Sequence, residues 1–387
     1  MSGGQEGIAE GKKVRGLEDK SFNDSDNGEN QQQPQTDNNL STVQSANLSN
    51  DMVLSPNRPI ALSTLNSHTS LFGFLNIYKP AGITSHDVVA VLRKTLKTKQ
   101  IGHTGTLDPF AEGVLPIAIG KATRLIEYLS DDKEYIATVR FGCSTNTYDL
   151  EGETTFTSDK KVTKGEIIEK LRDFEGEIEQ IPPIFSAIKV KGKKLYEYAR
   201  KGEEIEIQPR KVTIYNIELK SFDENLQQAE ILIKCSKGTY IRSIANDLGN
   251  KLGCGGHLIK LIRTQAGKFR IENSVKLEVE NGKLNNFQFS TFNFQLINPI
   301  EILDLPIVEV DDTDLENIKN GVQIDAKRSI KSDNSQFSTF NFQPDKDLSP
   351  YSPNALLPFV LLVYNKEKIC AVGQIESGII KLKKVFL

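Results

Sequence analysis

Hydrophobic and polar residues along this chain follow two periods, and changes of period mark its elements. Residues 133–142 alternate: Tyr135, Ala137, Val139 and Phe141 fall on one side, Ile136, Thr138 and Arg140 on the other. That alternation predicts a half-buried strand. Residues 73–78 and 230–235 also read as strands. Val88, Leu92 and Leu96 instead recur at the spacing of one helix face. Thr84 or Ser85 can cap that helix, with Asp87 in its first turn. Residues 164–174 predict a short amphipathic helix. Ser236-Lys237-Gly238 predicts a turn and Thr239 a cap, before Ile241, Ile244, Leu248 and Leu252 mark another helix face.

Towards the end, residues 311–320 predict a short helix stopped by Gly321, and 358–364, 369–375 and 380–386 predict three strands. Strands and helices alternate irregularly, without a long βαβ series. The expected fold is α+β, with a central mixed, largely antiparallel sheet flanked by helices.

Residues 1–72 lack either period. They are rich in Asn, Gln and Ser and predict a disordered extension. The octamer at 288–295, Gln-Phe-Ser-Thr-Phe-Asn-Phe-Gln, recurs at 336–343 in polar surroundings. Its flanks do not repeat, so both copies read as insertions in surface loops without a role in activity. The expected organisation is an extension (1–72), a first domain (73–275), a linker carrying one repeat (276–298) and a smaller domain (299–387) interrupted at about 331–355.

Charge alters the picture through its distribution. The net charge of −3 argues weakly against a nucleic-acid partner. Residues 1–72 hold five Lys and Arg against nine Asp and Glu, whereas 73–275 hold 31 against 27, so the middle is mildly basic. Arg93, Lys94, Lys97 and Lys99 gather near a predicted helix end, where they either complement the helix dipole or form a phosphate-contacting patch. The four cysteines lie far apart without zinc-ligand or CxxC spacing, and reduced thiols are expected. No membrane span and no export signal is apparent, which points to the cytoplasm.

The candidate chemistry centres on Asp108. It precedes Pro109 in a stretch containing Gly102, Gly105 and Gly113. Pro109 fixes its own φ and drives Asp108 towards an extended conformation. A carboxylate on a stiffened loop suits a positioned nucleophile or base. The same step also suits a turn, or the cap of a following helix. Ser85-His86-Asp87 does not make a catalytic triad, whose members meet in space rather than in sequence. Gly253-Cys-Gly-Gly-His257 lacks the spacing and the following Lys of a phosphate loop.

Five blocks, in order, resemble the TruB family of tRNA pseudouridine synthases. They are Leu75-Asn-Ile-Tyr-Lys-Pro-Ala-Gly-Ile-Thr-Ser85, the segment from Gly102 to Arg124, Ile181-Pro-Pro-Ile-Phe-Ser186 with Leu195-Tyr-Glu-Tyr-Ala-Arg200, Cys235-Ser-Lys-Gly-Thr-Tyr-Ile-Arg242, and Gly253-Cys-Gly-Gly-His257 followed by Leu258 and Arg263. Together they span most of residues 73–270. The resemblance implies a pseudouridine-synthase domain followed by a small PUA-like β-barrel. It implies isomerisation of the T-loop uridine at tRNA position 55, without a metal or other cofactor. In that scheme Asp108 is the essential carboxylate, attacking sugar or base or removing a ribose proton, and Arg242 pairs with it and lowers its pKa. Tyr135 packs on the target base and helps remove a proton. Tyr240 lines the pocket, and Leu261 forms an apolar wall. His103 stacks in the space left by the extruded base, and Lys79, Lys121 and Arg124 lie near the RNA or the pocket. The resemblance further implies a monomer with tRNA as its partner and no obligatory protein partner. A guide-RNA-dependent synthase and a non-catalytic tRNA-folding chaperone are the alternatives.

Overall fold

The computed structural model describes residues 71–277, 295–326 and 359–387, with the backbone of short strands at 279–280 and 283–284. The expectations for residues 1–70, for the interruption at 331–355 and for the two repeats (Gln295 apart) fall outside these residues.

The first half is built on one sheet. Its elements are β1 (Gly73–Lys79), α1 (Ser85–Thr95), β2 (Ile101–His103), β3 (Glu112–Ile119), β4 (Lys133–Phe141), α2 (Lys164–Leu171), β5 (Gly176–Gln180), β6 (Arg210–Asp223), β7 (Gln228–Cys235), α3 (Ile241–Lys251), β8 (Gly256–Ala266) and β9 (Val275–Lys276). The strand order is β9-β1-β3-β8-β4-β7-β6-β5, and β2 with Phe269–Arg270 completes a ten-stranded sheet. β9 runs parallel to β1 and β3 parallel to β8, while the remaining pairings are antiparallel. The mixed, largely antiparallel sheet expected from sequence is thus present.

Alternation gives the sheet two apolar faces. Leu75, Ile77, Leu115, Tyr135, Ala137 and Leu261 point into a core shared with Val88 and Leu92 of α1 and Ile244 and Leu248 of α3. Phe74, Val114 and Ala118 point the other way, against Leu361, Val363, Val372 and Phe386. Those partners belong to a second sheet built from β10 (Ile307–Val310), β11 (Ile324–Asp325), β12 (Phe359–Tyr364), β13 (Lys368–Glu376) and β14 (Ile379–Val385), in the order β10-β12-β13-β14-β11. This sheet curls into a PUA-like half-barrel. Val360 and Leu362, on the reverse side of β12, pack with Ile318 of α4 (Asp312–Lys319) in a separate core.

Two open local alternatives are resolved and one expectation, the Thr239 cap, is corrected. Thr84, not Ser85, caps α1: its hydroxyl accepts the Asp87 N–H at 3.1 Å, and the Asp87 carboxylate accepts the Thr84 N–H at 2.8 Å. Thr239 does not cap α3, because its hydroxyl donates back to the Ser236 carbonyl at 2.9 Å and closes the turn. The Gln180 side chain grips Tyr240 at the helix start instead, accepting its N–H at 2.8 Å and donating to its carbonyl at 3.0 Å. Asp108-Pro109 opens no helix; the chain continues into β3, a strand that contains Pro116.

Candidate active site

Strand register sets the floor of the site. Lys79 on β1 opposes Gly113 on β3, Gly113 opposes Arg263 on β8, and Arg263 opposes Tyr135 on β4. Residues paired this way project from the same face. Leu261, opposite Ala137, lies two positions along that face. Gly113 permits the close packing: its φ is +109°, and an added Cβ would lie 2.3 Å from the Arg263 carbonyl oxygen. Gly102 and Gly105 have no positive φ, so of the three glycines around Asp108 only Gly113 needs that freedom.

The loop from Thr104 to Ala111 crosses one end of this line, held largely through its carbonyls. Arg263, 1% exposed, donates to the carbonyls of Val114 at 2.7 Å, Gly105 at 3.1 Å and Thr106 at 3.4 Å. Lys79, fully buried, donates to those of Ile83 at 2.7 Å, Pro80 at 2.9 Å and Pro109 at 3.2 Å. The Gly82 N–H also reaches the Pro109 carbonyl, at 2.9 Å, and Ala111 N–H reaches that of Asp108 at 3.1 Å.

Asp108 is left about one-third open, with its side chain 36% exposed. Its Oδ2 lies 2.9 Å from Nε of Arg242, the second residue of α3. The Nε–H is not aligned along that line, so the attraction is chiefly Coulombic. The rest of the guanidinium is fixed: Nη1 lies 3.3 Å from Asp149 Oδ2 and donates to the Thr147 carbonyl, and Nη2 donates to the Phe185 carbonyl.

Burial pushes the Asp108 carboxyl above its ordinary range; Arg242 opposes the rise and Asp149 adds to it. The expectation that Arg242 would leave Asp108 with a lowered pKa is therefore corrected. One guanidinium shared between two carboxylates does not outweigh their desolvation. Glu151 is raised as well, first by burial and then by Asp149 and Asp108. Burial likewise raises the Tyr135 phenol, against the opposing charge of Arg263, so Tyr135 is protonated at neutral pH.

Tyr240 is half-buried, and burial raises its phenol pKa, with the nearby Ser186 hydroxyl and Arg242 opposing the rise. His103, at the end of β2, has a buried Nδ1 without a hydrogen-bond partner. Its ring packs edge-on against His86 at 5.8 Å, and burial, then His86 and Arg263, lower its pKa.

Of Lys79, Lys121 and Arg124, expected near the RNA or the pocket, Lys79 lies beside the Asp108 loop, and all three donate to backbone carbonyls. Lys121 donates to the carbonyls of Phe386 at 2.8 Å and Leu387 at 3.0 Å. Arg124 donates to that of Val385 at 2.7 Å and covers the Phe386 ring at 5.3 Å. The latter two tie the first sheet to β14, where a strand end leaves carbonyls unpaired. Sequence reading overlooked Asp149, whose only cue was the turn-forming run Asn146-Thr-Tyr-Asp149. It also gave Arg263 no role, because an Arg amid strand alternation looks solvent-facing.

Among the described residues, no group of His, Cys, Asp and Glu is placed to hold a metal, and no helix is long and apolar enough to cross a membrane. A carboxylate beside a buried guanidinium, over an aromatic and aliphatic floor, can engage a base or sugar without a cofactor. The mixed sheet with its flanking helices is the pseudouridine-synthase fold.

Similarity to known proteins makes the class specific. Residues 93–241 match the model of the TruB family pseudouridylate synthase N-terminal domain, and 242–301 that of the tRNA pseudouridylate synthase B C-terminal domain. The tRNA pseudouridine synthase B of Clostridium tetani is 43% identical over 71% of this chain and 93% of its own length. That of Carboxydothermus hydrogenoformans is 42% identical over 81% and 98%. A structure titled as an H/ACA RNP bound to a substrate RNA containing 2′-deoxyuridine superposes with a TM-score of 0.56, at 23% identity, over 88% of this chain and 94% of that one, a likeness of fold. The chain belongs to the TruB family.

Proposed function

We propose that this protein isomerises the T-loop uridine at position 55 of tRNA to pseudouridine. The observation that carries the reading is the Asp108 carboxylate, about one-third open and 2.9 Å from a guanidinium that is otherwise buried and bonded. The relatives named tRNA pseudouridine synthase B supply the substrate class. In this reading Asp108 attacks the uridine or removes its ribose proton, and Arg242 opposes the rise in its pKa that burial and Asp149 cause. Tyr135 packs on the base with Leu261 beside it, and Tyr240 closes the pocket. The base must leave its stack, at a cost of a few kcal/mol, and His103 fills the gap as a neutral ring. Lys79, Lys121 and Arg124 act inside the protein rather than on RNA.

The catalytic domain spans residues 73–275 and the PUA-like domain 299–387, which meets the acceptor side of the tRNA. The protein works in the cytoplasm as a monomer, without guide RNA or an obligatory protein partner. Purified protein is therefore expected to modify bare tRNA transcript. Asp108→Asn is expected to abolish pseudouridine formation, read by mapping the modified base, while tRNA binding stays within a few fold. Substantial isomerisation by that variant would sink the reading, and retained tRNA refolding by it would reveal a chaperone role.

A further inference from the structure

The short link between β1 and α1 holds the residues on both sides of Asp108. On the C-terminal side, the Pro109 carbonyl accepts from Lys79 and from the Gly82 backbone. On the N-terminal side, Ser85 does the holding. Its hydroxyl accepts the Leu107 N–H at 2.9 Å and donates to the Leu107 carbonyl at 3.1 Å. Ser85 is 1% exposed, and Leu107 is buried at 3%. One side chain thus satisfies both backbone groups of the residue before Asp108. Leu107 lies outside every strand, so these groups have no ladder partner. As the first residue of α1, Ser85 lies within the capping box that Thr84 and Asp87 form around it.

We propose that Ser85 is a positioning residue for catalysis, which sets the backbone of Leu107 and so aims the Asp108 carboxylate at the bound nucleotide. The proposal rests on Asp108 being the reactive carboxylate. Thr84 already caps the helix, so Ser85 is not needed for that task. Its two bonds define the plane and height of the Leu107 peptides, which a single bond would leave free to tilt. The Asp108 side chain follows, because its own anchor is the unaligned approach to Arg242. A shift of about 1 Å in a reacting group costs on the order of 100-fold in rate. Loosening Leu107 also lengthens the distance to Arg242, which removes the charge opposing the burial-raised pKa of Asp108.

The test uses the full chain and tRNA transcript under single-turnover conditions across pH, with Asp108→Asn run alongside. Ser85→Ala is expected to slow isomerisation about 10- to 100-fold, leave tRNA affinity within about twofold, and move the acid limb of the rate profile to higher pH. Asn76→Ala is the control. Asn76 is equally buried and donates to the Arg270 carbonyl at 2.8 Å, outside the loop. It is expected to lower the melting temperature comparably without moving the acid limb. Ser85→Cys, which keeps a weak donor and acceptor, is expected to fall between wild type and Ser85→Ala, and its profile decides the matter if the alanine variant does not fold. An unmoved acid limb, or a rate loss no larger than that of Asn76→Ala, overturns the proposal while Asp108→Asn remains inactive. An active Asp108→Asn instead overturns the function on which it rests.

Discussion

Two groups of cations in this protein bind backbone carbonyls, one beneath the loop of Asp108 and one against the last strand. Arg263 and Lys79 are buried, and each reaches three carbonyls on or beside the Asp108 loop. Lys121 and Arg124 are more exposed and reach carbonyls at the end of β14, while Lys384 pairs with Glu127 nearby at 3.1 Å. Arg263, Lys79, Lys121 and Arg124 all occur in stretches that resemble the family, and their residue types alone suggest RNA binding. Burial removes Arg263 and Lys79 from the surface, whereas Lys121 and Arg124 stay exposed with their donors on backbone carbonyls. A charge removed from water is costly unless its donors are satisfied, so the buried pair is tied into the loop for structural reasons. The exposed pair retains hydration, and its bonds contribute little.

The deepest member of the comparison gives the largest expected effect. Charge-assisted hydrogen bonds contribute about 1.5–3 kcal/mol each, and removing a buried charge returns part of its desolvation cost. Arg263→Met is therefore expected to lose about 2–4 kcal/mol in urea unfolding. It also releases the Gly105 and Thr106 carbonyls, so isomerisation should fall by about 100-fold or more. Arg263→Lys keeps the charge without the planar fork, and is expected to recover more stability than activity. Wild-type stability in Arg263→Met would place the loop's support elsewhere and erase the contrast with the exposed pair.

Lys79 comes next and adds a pH dependence. Burial pulls its pKa down to about 8, with Asp108 and Glu112 partly opposing. Its ordinary value is 10.5. Between those values the unfolded chain binds more protons than the folded one, so stability rises with pH across that window. Lys79→Met orphans carbonyls at Pro80, Ile83 and Pro109, one of which keeps the Gly82 N–H, and is expected to cost about 1–3 kcal/mol at neutral pH. It should lack the Lys79 part of that rise, so the stability difference from wild type widens from pH 8 to 10.5, as read by chemical unfolding of both proteins at several pH values. A difference that stays constant across that window would mean that Lys79 keeps its charge there and is better solvated than its burial indicates.

How much of this is legible in the sequence depends on whether a feature has a local period. The strand with Tyr135 and the helix faces of Val88-Leu92 and Ile244-Leu248 carry that period, and the structure places them within a residue or two of expectation. β3 is not readable, because Pro116 argues against an interior strand. Its carbonyl nevertheless accepts the Thr104 N–H at 3.0 Å. The four-strand line of Lys79, Gly113, Arg263 and Tyr135 is a product of register, which no stretch of sequence contains. Sequence resemblance nominates Asp108 and Arg242 together, but the balance of their charges depends on Asp149, 41 positions along the chain from Asp108 and brought in by the fold.

The exposed group sets the lower end of the comparison. Lys121 and Arg124 meet three consecutive carbonyls, those of Val385, Phe386 and Leu387, which no strand partner claims in the same way. The bonds to Val385 and Leu387 are exposed and that to Phe386 is partly buried, so at most one partly buried acceptor loses its donor when the cations are removed. Water then replaces each donor at nearly equal free energy, and exposed charged pairs of this kind contribute about 0–1 kcal/mol. The apolar packing of Phe386 on Phe72, at 5.7 Å between ring centroids, stays in place. Lys121→Ala combined with Arg124→Ala is therefore expected to lower stability by about 1 kcal/mol or less. Salt should narrow the gap to wild type further, because exposed charges are screened within about 8–10 Å at moderate ionic strength. tRNA affinity is the sharper reading. If these cations serve β14 rather than RNA, the double variant binds tRNA as wild type does, and the salt dependence of binding keeps its slope. A slope shallower by roughly one unit for each phosphate no longer neutralised would return them to the RNA-facing group.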